Sequence, residues 1–186
     1  MQVTPLDIPD VKLIEPVRHG DERGFFSETY SKQKFADAGI DVEFVQDNHA
    51  KSATPGTLRG LHFQGPPRAQ AKLLRVVRGA VLDVAVDVRR GSPTYGRHVA
   101  VELSAANFRQ VLVPAGFAHG YLTLEPDTEV LYKVDDFYAP DTEGGLAWND
   151  PELGIAWPLP AEQVVLSERD RRWPALAAFE SPFSEA

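Results

Sequence analysis

Residues 71–88 read AKLLRVVRGAVLDVAVDV. The run is rich in valine and leucine and is broken only at Arg78-Gly79-Ala80, which reads as two strands joined by a tight turn. Side chains alternate across a strand. In the second half Leu82, Val84, Val86 and Val88 therefore share one face, while Asp83, Ala85 and Asp87 share the other. Lys72 stands at the head of the first half. The run thus pairs a greasy face with one that carries ionisable groups among small neighbours, which suits the lining of a cavity better than a face open to water.

The same pattern extends in both directions. In LRGLHFQ (58–64), Leu61 and Phe63 oppose Gly60, His62 and Gln64. In EVLYKV (129–134), Val130, Tyr132 and Val134 oppose Leu131 and Lys133. HVAVEL (98–103) follows the turn residues RGSPTYG, and RQVLVP (109–114) follows SAAN. One short helix is expected in SKQKFADAG, with Ser31 as its N-cap and Gly39 as its stop. Short strands at this spacing, divided by Gly, Pro and Asn turns, predict an all-β sandwich or barrel. No repeat or linker divides the chain, so residues 1–186 are expected to form a single domain.

Composition excludes several classes. The net charge of -8 argues against nucleic-acid and membrane-surface binding, which need a positive footprint. From Arg59 to Arg97, however, eight Lys and Arg residues face only Asp83 and Asp87, so a small anion has a local welcome. No apolar run is long enough for a membrane helix, and MQVTPLDIPD lacks the features of a secretory signal. With no cysteine, thiol chemistry is excluded. A cytoplasmic location is the expectation.

Each chemical candidate has a plain structural reading beside it. His62 is a pocket proton carrier or a polar residue that fits a strand. Lys72 either works in the cavity or snorkels to its rim. Asp83 is a hydrogen-bonded core carboxylate or the partner that orients His62 or Lys72, since burying it unpaired is costly. No two of His19, His49, His62, His98 and His119 form an HxH or HxxxH pair, and Gln64 stands where a second histidine would complete such a motif. No metal site is expected. GxGxxG, GxxxxGK[ST] and GxSxG are all missing.

Seven segments in order, DERGFFSETY, FVQDNHAKS, TLRGLHFQ, QAKLLRVVRGAVLDVAVDVRRGSPTYG, VPAGFAHGYLTL, YKVDDFYAPDTEGGLAWNDPELGIAWP and LSERDRRWP, resemble the dTDP-4-dehydrorhamnose 3,5-epimerase family over nearly the whole chain. The resemblance implies a cupin-type jelly roll, assembled as a homodimer. It also implies an isomerase of deoxysugar and rhamnose biosynthesis that inverts C3 and C5 of dTDP-4-dehydro-6-deoxy-D-glucose without a cofactor. The 4-keto group acidifies both neighbouring C–H bonds, so a base, an acid and an oxyanion stabiliser suffice.

The resemblance further implies that His62 is the base, Asp170 its partner, Lys72 the enolate stabiliser and Tyr132 the acid on the opposite face. Arg23, Glu28, Gln46, Asp47 and Asn48 match positions that contact nucleotide or sugar. So do Arg59, His119, Glu143 and Arg169, and Phe25, Phe26 and Tyr138 are candidates to stack on thymine or sugar. Arg23 and Phe25 are expected to reach a neighbouring subunit's site. The chain departs from the family with Ala50 in QDNHA, commonly QDNHS, and with Arg169 in SERD, commonly SEKD. An enzyme that inverts only C3 or only C5 is the nearest rival reading. A non-catalytic sugar-nucleotide binding module is less favoured, because all four proton-transfer candidates are present.

Overall fold

In the computed structural model, residues 1–183 are described. The strands run β1 Gln2–Pro5, β2 Lys12–Glu15, β3 His19–Asp21, β4 Gly24–Phe26, β5 Gln46–Ser52, β6 Leu58–Gln64 and β7 Lys72–Arg78. They continue as β8 Ala80–Asp87, β9 His98–Ser104, β10 Gln110–Val113, β11 Phe117–Thr123, β12 Thr128–Val134 and β13 Glu143–Gly145. A six-stranded sheet has the order β1-β2-β10-β7-β12-β5, a five-stranded sheet β13-β6-β11-β8-β9, and β3 and β4 form a separate hairpin. All neighbouring strands are antiparallel. This is the expected all-β sandwich of jelly-roll type. No helix among the described residues is long and apolar enough to cross a membrane.

The turn at Gly79 does more than the sequence suggested. Gly79 has φ +74°, a left-handed conformation that glycine adopts without strain. The two strands it joins do not pair with each other. β7 lies in the six-stranded sheet and β8 in the five-stranded one, so Gly79 is the corner at which the chain changes layers. Between the layers sits a core that includes Leu74, Val76, Val81, Ala85, Val111 and Val130.

The two sheets use their outer faces differently. Val84 and Val86 of β8, with Val88 just past its end, join Leu61 and Phe63 of β6 in a second core, covered by later residues such as Leu146, Leu153 and Phe183. Here the greasy face points away from the sandwich interior and the ionisable face points in, as expected. In β12 the division fails. Val130 packs in the inner core with Tyr132 against it, so the greasy face and the site-bearing face coincide. Among the described residues, the outer face of the six-stranded sheet is covered by α1 (Lys32–Asp37) and its flanking segments, with Phe35 and Ile40 clustered with Ile14, Leu73 and Leu112. The helix forms where expected, with Ser31 Oγ accepting the Lys34 N–H at 3.4 Å and Ala38 as C-cap, just ahead of Gly39.

Candidate active site

The inner face of the six-stranded sheet is a grid fixed by strand register. Lys72 pairs with Val134, Leu74 with Tyr132, and Tyr132 with Asn48, so Lys72, Leu74, Tyr132, Gln46 and Asn48 lie on one surface. Facing it, β6, β11 and β8 are registered His62 to His119 and His119 to Ala85. A cavity of about 690 Å³ opens between these surfaces. One end of the sandwich interior is filled by apolar side chains, and the other is left hollow and polar.

A local irregularity brings Arg59 into this cavity. Strict alternation puts Arg59 on the face opposite His62. The β6–β11 register instead shifts between His119 and Tyr121, and Arg59 pairs with Tyr121. Gly60 makes this possible. It has φ +140°, and a Cβ there would stand 2.6 Å from the Gly120 Cα, so only glycine permits the strands to approach so closely. Arg59 then lines the cavity beside His62, its Nε donating to Ser52 Oγ at 3.3 Å and Nη2 to the Lys51 carbonyl at 3.2 Å.

His62 Nε2 lies 2.5 Å from Asp170 Oδ1, with side-chain exposures of 19% and 4%. Burial holds the imidazole below its ordinary value; the Asp170 hydrogen bond and charge oppose this, and Lys72 and Arg169 add to it. Burial alone would raise the Asp170 carboxyl, but hydrogen bonds from His62 and Ser167 and the charges of His62 and Arg169 outweigh it and hold the group low. The pair is therefore a neutral imidazole beside a carboxylate at neutral pH. A carboxylate only accepts, so Nε2 carries the proton and Nδ1 keeps the lone pair.

Burial pushes the Lys72 ammonium down to about 8 against the opposing charges of Asp83 and Glu143, with Arg169 lowering it further. It is still mostly protonated at neutral pH. Among the described residues it forms no ion pair. The Tyr132 phenol is raised above its ordinary value by burial, partly offset by Arg59 and Arg169, which makes it a donor rather than a resting base. Among the described residues, Trp173 Nε1 alone is a sealed side-chain polar atom without a partner. Among the described residues His62 Nδ1, Lys72 Nζ and the Tyr132 hydroxyl have no partner either, and all three residues line the same cavity.

A base with a free lone pair, an ammonium and a phenol donor thus converge from two opposed sheets. That set can move protons at a carbon next to a carbonyl and stabilise the resulting oxyanion.

A family model for dTDP-4-dehydrorhamnose 3,5-epimerase matches residues 5–178. The chain belongs to this family. A dTDP-4-dehydrorhamnose 3,5-epimerase of Pseudomonas aeruginosa is 54% identical, over 95% of this chain and 97% of that protein. The crystal structure of a dTDP-6-deoxy-D-glucose-3,5-epimerase from Legionella pneumophila, in complex with dTDP-4-keto-L-rhamnose, superposes with a TM-score of 0.94 at 42% identity, covering 100% of this chain and 98% of that one. A 3'-monoepimerase from Streptomyces bikiniensis, in complex with dTDP-quinovose, has a TM-score of 0.89 at 41% identity, over 97% of this chain and 92% of that one.

The residues singled out by resemblance to the family fall into two groups. Gln46, Asn48, Arg59 and His119 line the cavity together with the four proton-transfer candidates. Tyr138 stands at its open side, half-exposed, and Arg169 Nη1 holds both carboxylate oxygens of Glu143 at 2.9 and 2.6 Å within the lining. Ala50 lines the cavity too. Arg23, Phe25, Glu28 and Asp47 do not line it. Arg23 pairs with Asp21 on the exposed β3–β4 hairpin, and Phe25 on the same hairpin is 60% exposed. Glu28 pairs with Lys34, and Asp47 with Lys133 on the outer face of the six-stranded sheet.

Asp83 takes a partner other than the two expected. Its Oδ2 lies 2.8 Å from His119 Nε2, with both side chains almost fully buried. It holds His119 by hydrogen bond, whereas its action on Lys72 is through charge. Gln64, the position that would complete a histidine pair, is spent on structure. Its amide donates to the Arg68 and Phe137 carbonyls and accepts the Ala139 N–H, tying down the segment that carries Tyr138. Tyr121 was not singled out in the sequence, yet it lines the cavity. Strand parity with His119, two residues earlier, is the signal that would have found it.

Proposed function

We propose that this epimerase acts on dTDP-4-dehydro-6-deoxy-D-glucose, inverting C3 and C5 through enolate intermediates. His62 Nδ1 removes the proton from a carbon beside the C4 ketone, and the C–H electron pair moves into the ring to form the enolate. Asp170 fixes the base tautomer and stabilises the imidazolium that forms. Lys72 balances the negative charge on the C4 oxygen. Tyr132 delivers its proton to the opposite face of the carbon, which inverts it; the phenolate then regains a proton from solvent and the His62 imidazolium releases one to solvent, restoring both groups. The observation that carries this reading is the convergence of His62 from one sheet, held by Asp170 of the C-terminal segment, and of Lys72 and Tyr132 from the other sheet on a single cavity.

Arg59 is assigned to the diphosphate, since a guanidinium fork fits phosphate oxygens. Gln46, Asn48, His119, Tyr138, Glu143 and Arg169 complete the pocket around sugar and nucleotide. Arg23, Phe25 and Glu28 lie outside the cavity of their own chain, which supports a homodimer in which the β3–β4 hairpin reaches the neighbouring site. Mixed dimers of an Arg23 variant and a His62 variant should then recover part of the activity.

Single epimerisation is the second reading, favoured by the likeness to the Streptomyces bikiniensis monoepimerase. Incubation with the 4-keto sugar nucleotide in deuterated water separates the two by NMR. Deuterium at both C3 and C5 supports double epimerisation, and incorporation at one carbon supports the second reading. No incorporation at all contradicts both.

A further inference from the structure

The cavity holds one more hydroxyl that neither resemblance to the family nor the mechanism uses. Tyr121, on β11, is only 5% exposed, and its ring packs in the inner core with Val81 and Ala85. Its hydroxyl makes no hydrogen bond to any described residue, yet it is not among the sealed polar atoms, where Trp173 Nε1 stands alone. A hydroxyl on so buried a side chain, unpartnered but still accessible, opens to the space its residue lines. That space is the cavity.

Its position says which part of a ligand it meets. Tyr121 is registered opposite Arg59 on one side and Asp83 on the other, and it shares a face with His119, which is registered to His62. With Leu74 and Tyr132 it belongs both to the cavity wall and to the inner core or its edge. It therefore forms the floor, where apolar packing gives way to the hollow. Tyr138, by contrast, is half-exposed at the open side. The portion of a sugar nucleotide that reaches the floor, between His62 and Tyr132, is the portion being deprotonated.

We infer that Tyr121 is a sugar-binding residue, its phenol O–H donating a hydrogen bond to an oxygen of the hexose at the cavity floor. The inference rests on the reading of the cavity as the sugar-nucleotide site. Burial pushes this phenol up to about 12, with the charges of Tyr132 and Asp83 adding and Arg59 opposing. Tyr121 thus stays protonated at any working pH and acts only as a donor. That suits holding a sugar oxygen and does not suit abstracting a proton. An empty cavity leaves the donor to water, and a sugar oxygen replaces that water at little cost.

The test is Tyr121→Phe, which keeps the ring in the core and removes only the hydroxyl. Three quantities are compared with wild type: thermal stability, affinity for dTDP, and affinity and turnover for the 4-keto sugar nucleotide. The expected result is unchanged melting and unchanged dTDP affinity. The sugar nucleotide should bind roughly five- to tenfold more weakly, with a matching fall in kcat/KM, as one lost hydrogen bond implies. Unchanged sugar-nucleotide affinity overturns the inference, and so does an equal loss for dTDP and the sugar nucleotide, because either outcome removes the specific contact with the sugar. Wild-type turnover is read in the same assay. Its absence strikes the function proposed above, whereas turnover insensitive to Tyr121→Phe strikes only this inference.

Discussion

Replacing Asp170 with Asn probes the base most sharply. The carboxylate lies 2.5 Å from His62 Nε2 and is nearly buried, so the change is almost isosteric and falls on a pair little screened by solvent. Two effects act in the same direction. First, the imidazolium formed in the transition state loses its counter-ion. Charges ~4 Å apart at an effective dielectric near 20 interact by roughly 4 kcal/mol, which corresponds to about 10³ in rate. Second, an amide NH2 facing Nε2 favours the tautomer protonated on Nδ1, which would turn the cavity-facing lone pair into a donor. Together these predict a kcat reduced by about 10³, within the ~10²–10⁴ typical of general-base catalysis. KM should move by less than about threefold, since the lost interaction belongs to the transition state. Steady-state turnover coupled to reduction of the 4-keto product, with circular dichroism to check the fold, measures this. A well-folded Asp170→Asn variant within about threefold of wild-type kcat would refute the reasoning.

Three further outcomes follow from the same geometry. Lys72 acts as an ammonium and titrates near 8, so kcat/KM should fall as pH rises through that value. His62 acts neutral and is depressed, so the acid limb should lie below the ordinary histidine value, and a pH profile lacking an alkaline limb near 8 would remove Lys72 from its role. Gly60→Ala places a Cβ against the Gly120 backbone at a strained φ and should cost roughly 2–4 kcal/mol in urea unfolding. Asp87 is fully buried, and burial alone would raise its carboxyl, but hydrogen bonds from Arg89, Ser92 and Thr94 outweigh this and hold it at about 2. Its folded value is below the unfolded one, so the stabilisation is present above about pH 4 and lost as pH falls toward 2. Asp87→Asn should therefore cost about 2 kcal/mol at pH 7, and a smaller cost near pH 2 checks the sign.

Much of this molecule was legible in the residues. Valine-rich alternation located the strands, Ser31 and Gly39 bracketed the helix, and strand pattern singled out His62 and Lys72, to which resemblance to the family added Tyr132 and Asp170; all four line one cavity. What stayed hidden was non-local. Residues 71–88 read as two strands meeting at a turn, but nothing in them says that Gly79 sends the halves into different sheets. Parity fails for Arg59 because the register shift depends on Gly120, some sixty residues away in sequence. Asp83 is matched with His119 rather than His62 by the placement of β11 beside β8. Tyr132 looked like one more apolar-face residue because the inner face of its sheet serves as core at one end and as site at the other.

The central claim is that protons leave and return on opposite faces of the sugar, through different residues. Tyr132→Phe in deuterated water, with exchange at C3 and C5 and the formation of inverted product followed in one NMR experiment, tests it most directly. His62 remains intact in that variant, so exchange should persist at a rate near that of wild type while inversion falls by about 10² or more. Inverted product formed at the wild-type rate, or exchange and inversion lost in equal measure, would contradict the division of labour between His62 and Tyr132.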